Sequence, residues 1–523
     1  MSVAALPRVT YSNVTADFAP LHDYLDTALP GFRAAFGRFW PNIIGDQVDD
    51  DGVRFSTVSP IDDRIVIGEF VAASPGAVDR AVRAAKAAQP AWAALHWRER
   101  VATLRRLAEV LRARRFEFGM ACLYEVGKSR LESMGEAEEA IDLITYYCDE
   151  MERNEGYARA MARAFPNEAT QVVLRPVGVF GVIAPFNFPL ALSVGMMTGA
   201  LVGGNAVVYK PSAKACLTGA MLVAICEEAG LPHGLVSLLC GEGAGRHLAD
   251  HPGVDGIAFT GSHAVGMEIY RKVAAGPFAR PVIVEMGGKN PTYVTAAADL
   301  DVAAEGVMRS AFGLQGQKCS ACSVAYVEAS VLQTFVDVLA EKTSRIVIGT
   351  PEQREVYMGP LIGADAGERF LEAVARADHD GQVVRGGTRL RGGIYAHGWY
   401  AEPTVVTGLP SDHRLNREEL FLPFLSVVAC NNLAEGIAHG NAVGYGLTAG
   451  LFSRDPAEID RFLATAEAGV LYANRRSGAT TGAWPGIQSF CGWKGSGVTN
   501  KGGLGPFYVP QFMREQSRTV WEA

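Results

Sequence analysis

Residues 205–231 read NAVVYKPSAKACLTGAMLVAICEEAGL. The first eight are a β-branched and aromatic run closed by a proline, the pattern of a short buried strand. From Ala215 onward the spacing of Leu217, Ala220, Met221 and Ala224 predicts one helical face, and Gly230 supplies the stop. A similar strand lies upstream in VGVFGVIAP (177–185), and further strand-like runs follow in LVSLLCG (235–241) and VDGIAFTG (254–261). Strands that alternate with helices in this way predict βαβ units on a parallel sheet. A second block, about 287–480, repeats the style with a strand in SVAYVEA (323–329) and a helix in LQTFVDVLAEKTSRI (332–346), so two α/β units facing each other across a cleft are expected.

The uncharged run from Phe188 to Tyr209 is long enough to cross a bilayer, but Pro189, the pair Gly203–Gly204 and Asn205 interrupt it. It reads as a buried helix followed by a core strand. With 523 residues the chain exceeds one hydrophobic core. Its net charge of −8, with no dense basic run, argues against nucleic acid or a membrane surface as partner. The opening residues lack the basic start and apolar core of a secretory signal, so a cytoplasmic protein is expected. Nine scattered cysteines point to reduced thiols rather than a disulfide framework. Residues 18–39 look helical, in a leader with no assigned role.

The stretch GLQGQKCSACS (313–323) sets Cys319 and Cys322 three apart behind Lys318. Half of a metal site, the stub of a disulfide and a nucleophile are the three readings. No second CxxC or HxxxH supplies a zinc partner. Lys318 would favour a Cys319 thiolate if its cation points that way. A thiolate that attacks a carbonyl needs an oxyanion donor and a base for hydrolysis of the acyl intermediate. PFNFP (185–189) offers the amide of Asn187, and VIVEMGGKNP (282–291) offers Glu285 at the end of an apolar strand. Both have plainer readings, as a turn cap and as a solvated strand-end carboxylate. FTGSHAVG (259–266) places Gly261 and Gly266 at a strand-turn-helix junction suited to phosphate, and YKPS adds Lys210 and Ser212 at a neighbouring strand end.

PFNFP, YKPS, FTGSHAVG, VEMGGKNP, GQKC and EELFLPF (418–424), in this order, resemble the aldehyde dehydrogenase superfamily over about residues 40–515. The resemblance implies an α/β fold with a Rossmann-type parallel-sheet cofactor domain, an α/β catalytic domain and a β oligomerisation arm. On that pattern 1–40 is a leader, 41–155 with 176–286 binds NAD or NADP, and 287–480 is catalytic. Residues 156–175 and 500–523 form the arm of a homodimer or homotetramer, and 481–499 form a substrate anchor loop. The implied roles are Cys319 as nucleophile, Asn187 with the Cys319 N–H as oxyanion hole, and Glu285 as the group that activates water. Lys210, Ser262, Gly261 and Gly266 would hold adenosine and pyrophosphate, and Glu419 and Phe421 would meet the nicotinamide ribose and ring. Cys322 has no implied role.

Within the superfamily the chain looks most like the branch that oxidises glutamate 5-semialdehyde, the open form of Δ1-pyrroline-5-carboxylate. GLQGQKCSACS, Phe186 in PFNFP and the helix GKSRLESMGEAEEAIDLITYYCDEM (127–151) carry that likeness. It implies that Glu132 pairs with Lys318, and that Ser320 with amides near Gly482 and Ala483 holds the substrate carboxylate. The anchor loop departs from the branch: TTGAWPGIQSFCGWKGSG (480–497) carries Trp484, which is expected to reshape the pocket and leaves another semialdehyde or a bulkier aldehyde open. Leu422 stands where glycine is usual. Ala213, where many NAD-preferring relatives have glutamate, removes a repulsion against the 2'-phosphate of NADP, and Lys214 follows it. A non-catalytic binding or structural relative is the reading from another class.

Overall fold

The computed structural model describes residues 6–13 and 16–522; the parts of the expected leader and arm at 1–5, 14–15 and 523 lie outside the described residues. Two seven-stranded sheets organise the chain. The first runs, in spatial order, Val282–Met286, Gly256–Gly261, Val179–Ile183, Ala206–Lys210, Val236–Leu238, Asn42–Ile44 and Gln47–Asp49. Its first five strands are parallel and its last two pair antiparallel. Of the five parallel strands the chain lays Val179–Ile183 down first, builds outward through Ala206–Lys210 and Val236–Leu238, then crosses back to add Gly256–Gly261 on the other side. The carboxyl ends of these strands therefore diverge at a topological switch point, where open sheets leave a crevice.

The second sheet runs Gln382–Arg385, Thr404–Thr407, Phe424–Cys430, Cys322–Glu328, Asn290–Val294, Thr448–Phe452 and Val470–Ala473, parallel except for its first strand. Only Gly287, Gly288 and Lys289 separate the last edge strand of the first sheet from the Asn290 strand of the second. The carboxyl ends of one sheet thus meet the amino ends of the other. Two three-stranded sheets complete the frame: Arg38–Trp40, Asp62–Ala73 and Gly52–Ser59; and Met513–Trp521, Glu168–Pro176 and Ala158–Ala160.

The uncharged run resolves into the helix Ala191–Val202 and the strand Ala206–Lys210, with both elements buried. Among the described residues no helix is long and apolar enough to cross a membrane. Helix Cys216–Glu228 buries Leu217, Ala220 and Met221 as the spacing predicts, but Ala224 is exposed and Leu222, Val223, Ile225 and Cys226 are buried as well. The helix is apolar nearly all round because it is covered by helices Trp97–Ala113 and Arg115–Val126, so its periodicity marked a helix but not one face. Neither helix Ala191–Val202 nor helix Cys216–Glu228 carries a side-chain cap of its own. Buried Glu125 accepts from the N–H groups of Leu217 and Thr218 at 2.7 and 2.8 Å, and buried Glu136 accepts from those of Leu190 and Ala191 at 2.8 and 3.1 Å. Carboxylates from elsewhere thus satisfy donors that the helices leave open. The leader helix spans Ala19–Arg33 and packs Leu21, Leu25 and Leu29 inward; the residues after Gly37 turn into strand, shorter than the helical stretch expected to Phe39.

Fully buried Asn205 closes this part of the molecule. Its Oδ1 accepts from the N–H groups of Val177 and Gly178 at 2.8 and 2.9 Å, while its Nδ2 donates to the carbonyls of Ala200 and Phe512, both at 2.9 Å. Replacing it with alanine removes a side-chain partner from four backbone groups, of which the Ala200 carbonyl keeps the Asn205 N–H. Asn205→Ala is expected to lower the thermal unfolding midpoint through a loss of about 3 kcal/mol, read by calorimetry; an unchanged midpoint would deny the asparagine this role.

Candidate active site

The loop that carries Cys319 departs from ordinary backbone geometry. Leu314, Gln315 and Gly316 all take positive φ, at 47°, 57° and 68°. Left-handed backbone is open to glycine but costs a leucine or glutamine side chain, so the surroundings must hold it. They do so with buried side chains. Glu132 accepts from the Leu314 N–H at 3.1 Å and from Lys318 Nζ at 2.6 Å; Asn187 Nδ2 donates to the Gln317 carbonyl at 3.0 Å; Asn290 Nδ2 donates to the carbonyls of Cys319 and Ala321 at 2.7 and 3.0 Å; Thr480 Oγ1 donates to the Ser320 carbonyl at 2.7 Å.

Two hollows meet at this loop. The larger is a cleft of about 680 Å³ at the switch point of the first sheet, bordered by Lys210, Ser212, Gly261, Ser262, Glu419 and Phe421. The Lys210 ammonium makes no hydrogen bond or ion pair with the described residues, and Ser262 caps the helix His263–Ala274, whose first turn opens on the cleft. An unpartnered cation beside a helix N-terminus suits the phosphates of a dinucleotide. Phe421 lies edge-on to Phe186, with centroids 5.9 Å apart. The smaller hollow, about 80 Å³, is bordered by Glu285, Lys318, Cys319, Ser320, Gly482 and Ala483. Cys319 and Thr260 belong to both.

Glu285 ends strand Val282–Met286, and its Oε1 lies 3.6 Å from Cys319 Sγ. Burial pushes the Glu285 carboxyl up to about 7. Burial also pushes the Cys319 thiol well above its ordinary value, and the carboxylates of Glu285 and Glu419 add to the effect. Glu419, raised to about 7 by burial, accepts from the Gly288 N–H at 3.0 Å. It reaches that position because Gly287 has no side chain: a Cβ there would collide with the Glu419 carboxylate. Asn187 spends one amide N–H on Gln317 and forms no other hydrogen bond with the described residues.

These features place a thiol, a carboxyl that titrates near neutrality and an amide donor at the junction of a dinucleotide-sized cleft and a smaller pocket. Residues 48–517 match the sequence profile of the aldehyde dehydrogenase family. The chain belongs to the aldehyde dehydrogenase family. It is 34% identical over 503 residues, 95% of both chains, to a 1-pyrroline-5-carboxylate dehydrogenase of Bacillus cytotoxicus. A crystal structure of 1-pyrroline-5-carboxylate dehydrogenase from Thermus with bound NAD superimposes at a TM-score of 0.92 over the full length of both chains, at 32% identity. A structure of proline utilization A from Bdellovibrio bacteriovorus matches 95% of this chain at 34% identity and a TM-score of 0.90, but the present chain spans only 52% of that longer one. As an aldehyde dehydrogenase the protein oxidises an aldehyde with NAD or NADP.

Several residues of this aldehyde dehydrogenase sit elsewhere than their motifs suggested. Phe186, expected on the substrate side, faces the dinucleotide cleft, whereas Phe188 borders the small pocket, since the tight turn around Asn187 sends the two rings to opposite sides. Gly266 borders neither hollow; it lies inside its helix, where a Cβ would come within 2.5 Å of Met286 Sδ, so it serves packing. Trp484 does not enter the pocket around Cys319; its indole N–H donates to Asp142 at 2.9 Å and it borders an outer cavity together with Glu132. The Lys318 cation is held by Glu132 and does not lower the Cys319 thiol. Leu422 buries its side chain in a core cluster with Leu415 and Phe424, away from the cleft. Ala213 and Lys214 lie outside the cleft lining, and Cys322 is a core residue whose Sγ lies 3.2 Å from Thr292 Oγ1. Thr260, Arg369, Tyr508 and Tyr11 border the two hollows without having carried a sequence signal.

A thiol raised by burial and two carboxylates is protonated at neutral pH. Alkylation of Cys319 by iodoacetamide, followed by peptide mass spectrometry, is expected to accelerate about tenfold per pH unit from 7 to 9. A plateau below pH 8 would mean that the loop lowers the thiol instead.

Proposed function

We propose that this aldehyde dehydrogenase converts L-glutamate 5-semialdehyde, in equilibrium with Δ1-pyrroline-5-carboxylate, to L-glutamate. The observation that carries the reading is the pocket's far wall. Ser320, whose hydroxyl has no hydrogen-bond partner among the described residues, faces the same small pocket as Gly482 and Ala483. A hydroxyl and two backbone positions around a pocket of about 80 Å³ suit a short aldehyde ending in a carboxylate. Relatives of 34% identity over 95% of the chain that carry the name 1-pyrroline-5-carboxylate dehydrogenase support the same substrate.

Cys319 Sγ, on losing its proton, adds to the aldehyde carbon. The second N–H of Asn187 and the Cys319 backbone N–H hold the oxygen as it becomes anionic. A dinucleotide in the large cleft would supply the hydride acceptor, Glu419 and Phe421 would orient its reactive end, and the adduct on Cys319 would become a thioester. Glu285, carboxylate above about pH 7, then takes a proton from water as the water attacks, and Cys319 leaves as thiolate. Lys210, Ser212, Gly261 and Ser262 serve the adenosine and pyrophosphate end. Glu132 positions Lys318 and the loop backbone rather than touching substrate.

The same proposal divides the chain into a dinucleotide-binding part, 41–155 with 176–286, and a catalytic part, 287–480, on the support of the two seven-stranded sheets. The sheet formed by Met513–Trp521 with Glu168–Pro176 exposes Met161, Phe165, Val520 and Trp521, apolar surface that suits pairing with another copy in a homodimer or homotetramer. All nine cysteines are free thiols, the state that a cytoplasmic location maintains.

The test is the initial rate of reduced-dinucleotide formation with Δ1-pyrroline-5-carboxylate against simple and aromatic aldehydes, each with NAD and NADP, with Cys319→Ala as blank. The reading predicts that the pyrroline substrate has the highest kcat/KM and that the variant abolishes it. Equal or better turnover of the other aldehydes would refute the substrate and leave the family chemistry standing.

A further inference from the structure

The segment before the first helix, which carried no assigned role, forms part of the substrate site. Between residues 6 and 13 the chain packs against helix Arg130–Arg153 with Leu6 and Val9 buried, and Tyr11 reaches the small pocket. Arg8 fastens it to helix Arg130–Arg153, with Nε 2.8 Å from Glu138 Oε2 and Nη2 2.8 Å from Asp142 Oδ2. Asn13 holds the bend locally: its Oδ1 accepts from the Thr10 N–H and its Nδ2 donates to the Arg8 carbonyl, both at 2.7 Å.

The bend aims Tyr11 at the anchor loop. Its ring meets Trp484 edge-on with centroids 6.0 Å apart, and Lys318 Nζ lies 5.8 Å from its centre. Gly482, at a φ of +90°, has no Cβ to block this approach; one built there would lie 3.0 Å from the Tyr11 ring. Asp142 accepts from both Arg8 and the Trp484 indole, so a single carboxylate ties the segment to the loop. Trp484 thereby acquires a function: it backs Tyr11.

Tyr11 also stands between two hollows. On one side lies the pocket of about 80 Å³ with Cys319 and Glu285. On the other lies an outer cavity of about 260 Å³ bordered by Trp484, Tyr357 and Arg309. Four side chains border both: Tyr11, Glu139, Phe188 and Lys318. Lys318 is fixed by Glu132, and Phe188 is fixed by Lys128, whose Nζ lies 3.5 Å from the ring centre. Tyr11 alone among them precedes the first helix.

We propose that Tyr11 is a specificity-determining residue that ends the aldehyde pocket and limits the length of the aldehyde the enzyme accepts. Short aldehydes stop against the ring. Without it the pocket joins the outer cavity, and straight-chain aldehydes of greater length enter. The inference rests on aldehyde oxidation alone and not on the substrate proposed above.

The test compares kcat/KM for octanal with that for propanal, using NAD and the full chain, in the wild type, Tyr11→Phe and Tyr11→Ala. The octanal-to-propanal ratio is expected to rise about tenfold or more in Tyr11→Ala, the scale at which an apolar pocket discriminates size, and to stay at the wild-type value in Tyr11→Phe. An unchanged ratio in Tyr11→Ala with NAD affinity intact overturns the proposal. NAD affinity, read by quenching of tryptophan fluorescence, reports folding independently, since Tyr11 does not border the dinucleotide cleft. If Tyr11→Ala fails that control, Arg8→Ala decides, because it frees the segment from an exposed site: a raised ratio supports the proposal and an unchanged ratio overturns it.

Discussion

A strained loop held from both sheets is the constraint on which the rest of the molecule depends. Leu314 and Gln315 occupy left-handed backbone that their side chains disfavour by on the order of 1–3 kcal/mol each. That backbone lets Gly316 pass the Leu422 carbonyl, where any Cβ would collide, and brings Cys319 to the meeting point of cleft and pocket. Hydrogen bonds to Glu132, Asn187, Asn290 and Thr480 offset the cost. Asn290 opens a strand of the second sheet and Asn187 follows a strand of the first, so the reactive loop is placed correctly only when both sheets have formed. Asn290 is itself fixed, since its Oδ1 accepts from the Thr448 N–H at 3.0 Å.

The electrostatics follow from the same enclosure. Glu285 and Glu419 are both raised to about 7 and the Cys319 thiol is raised well above its usual value, burial being the first cause in each case. A site this dry favours neutral groups at rest. It also strengthens every donor aimed at a charge that appears only during reaction, the role proposed for Asn187. The buried carboxylates of Glu125 and Glu136 solve a related problem farther away by capping interior helices that lack caps of their own. Glu136 also holds Leu190 and Ala191, directly after the turn that presents Asn187.

Much of this was legible because the key groups lie in short motifs whose local structure dictates their placement. Glu285 ends an apolar strand, Cys319 sits in a glycine-rich loop and Lys210 closes a strand, so chain position was enough. Side choice was less legible: Phe186 and Phe188 flank one asparagine, and only the tertiary structure tells which ring faces the cleft. Gly266 resembled a phosphate glycine because helix packing and phosphate approach both require a missing Cβ. Tyr11 and Trp484 were illegible for another reason. Their meeting depends on Arg8, Asp142 and Gly482, residues far apart in the chain, and no local pattern records such a contact.

With Cys319 as the acyl carrier and Glu285 as the group proposed to release the acyl chain, Glu285→Gln should trap the intermediate. Mass spectrometry of that variant after mixing with aldehyde and NAD is expected to show an acyl adduct that persists on the Cys319 peptide, with one equivalent of reduced dinucleotide formed in a burst. Steady turnover without an adduct, or an adduct on any other cysteine, would contradict these roles.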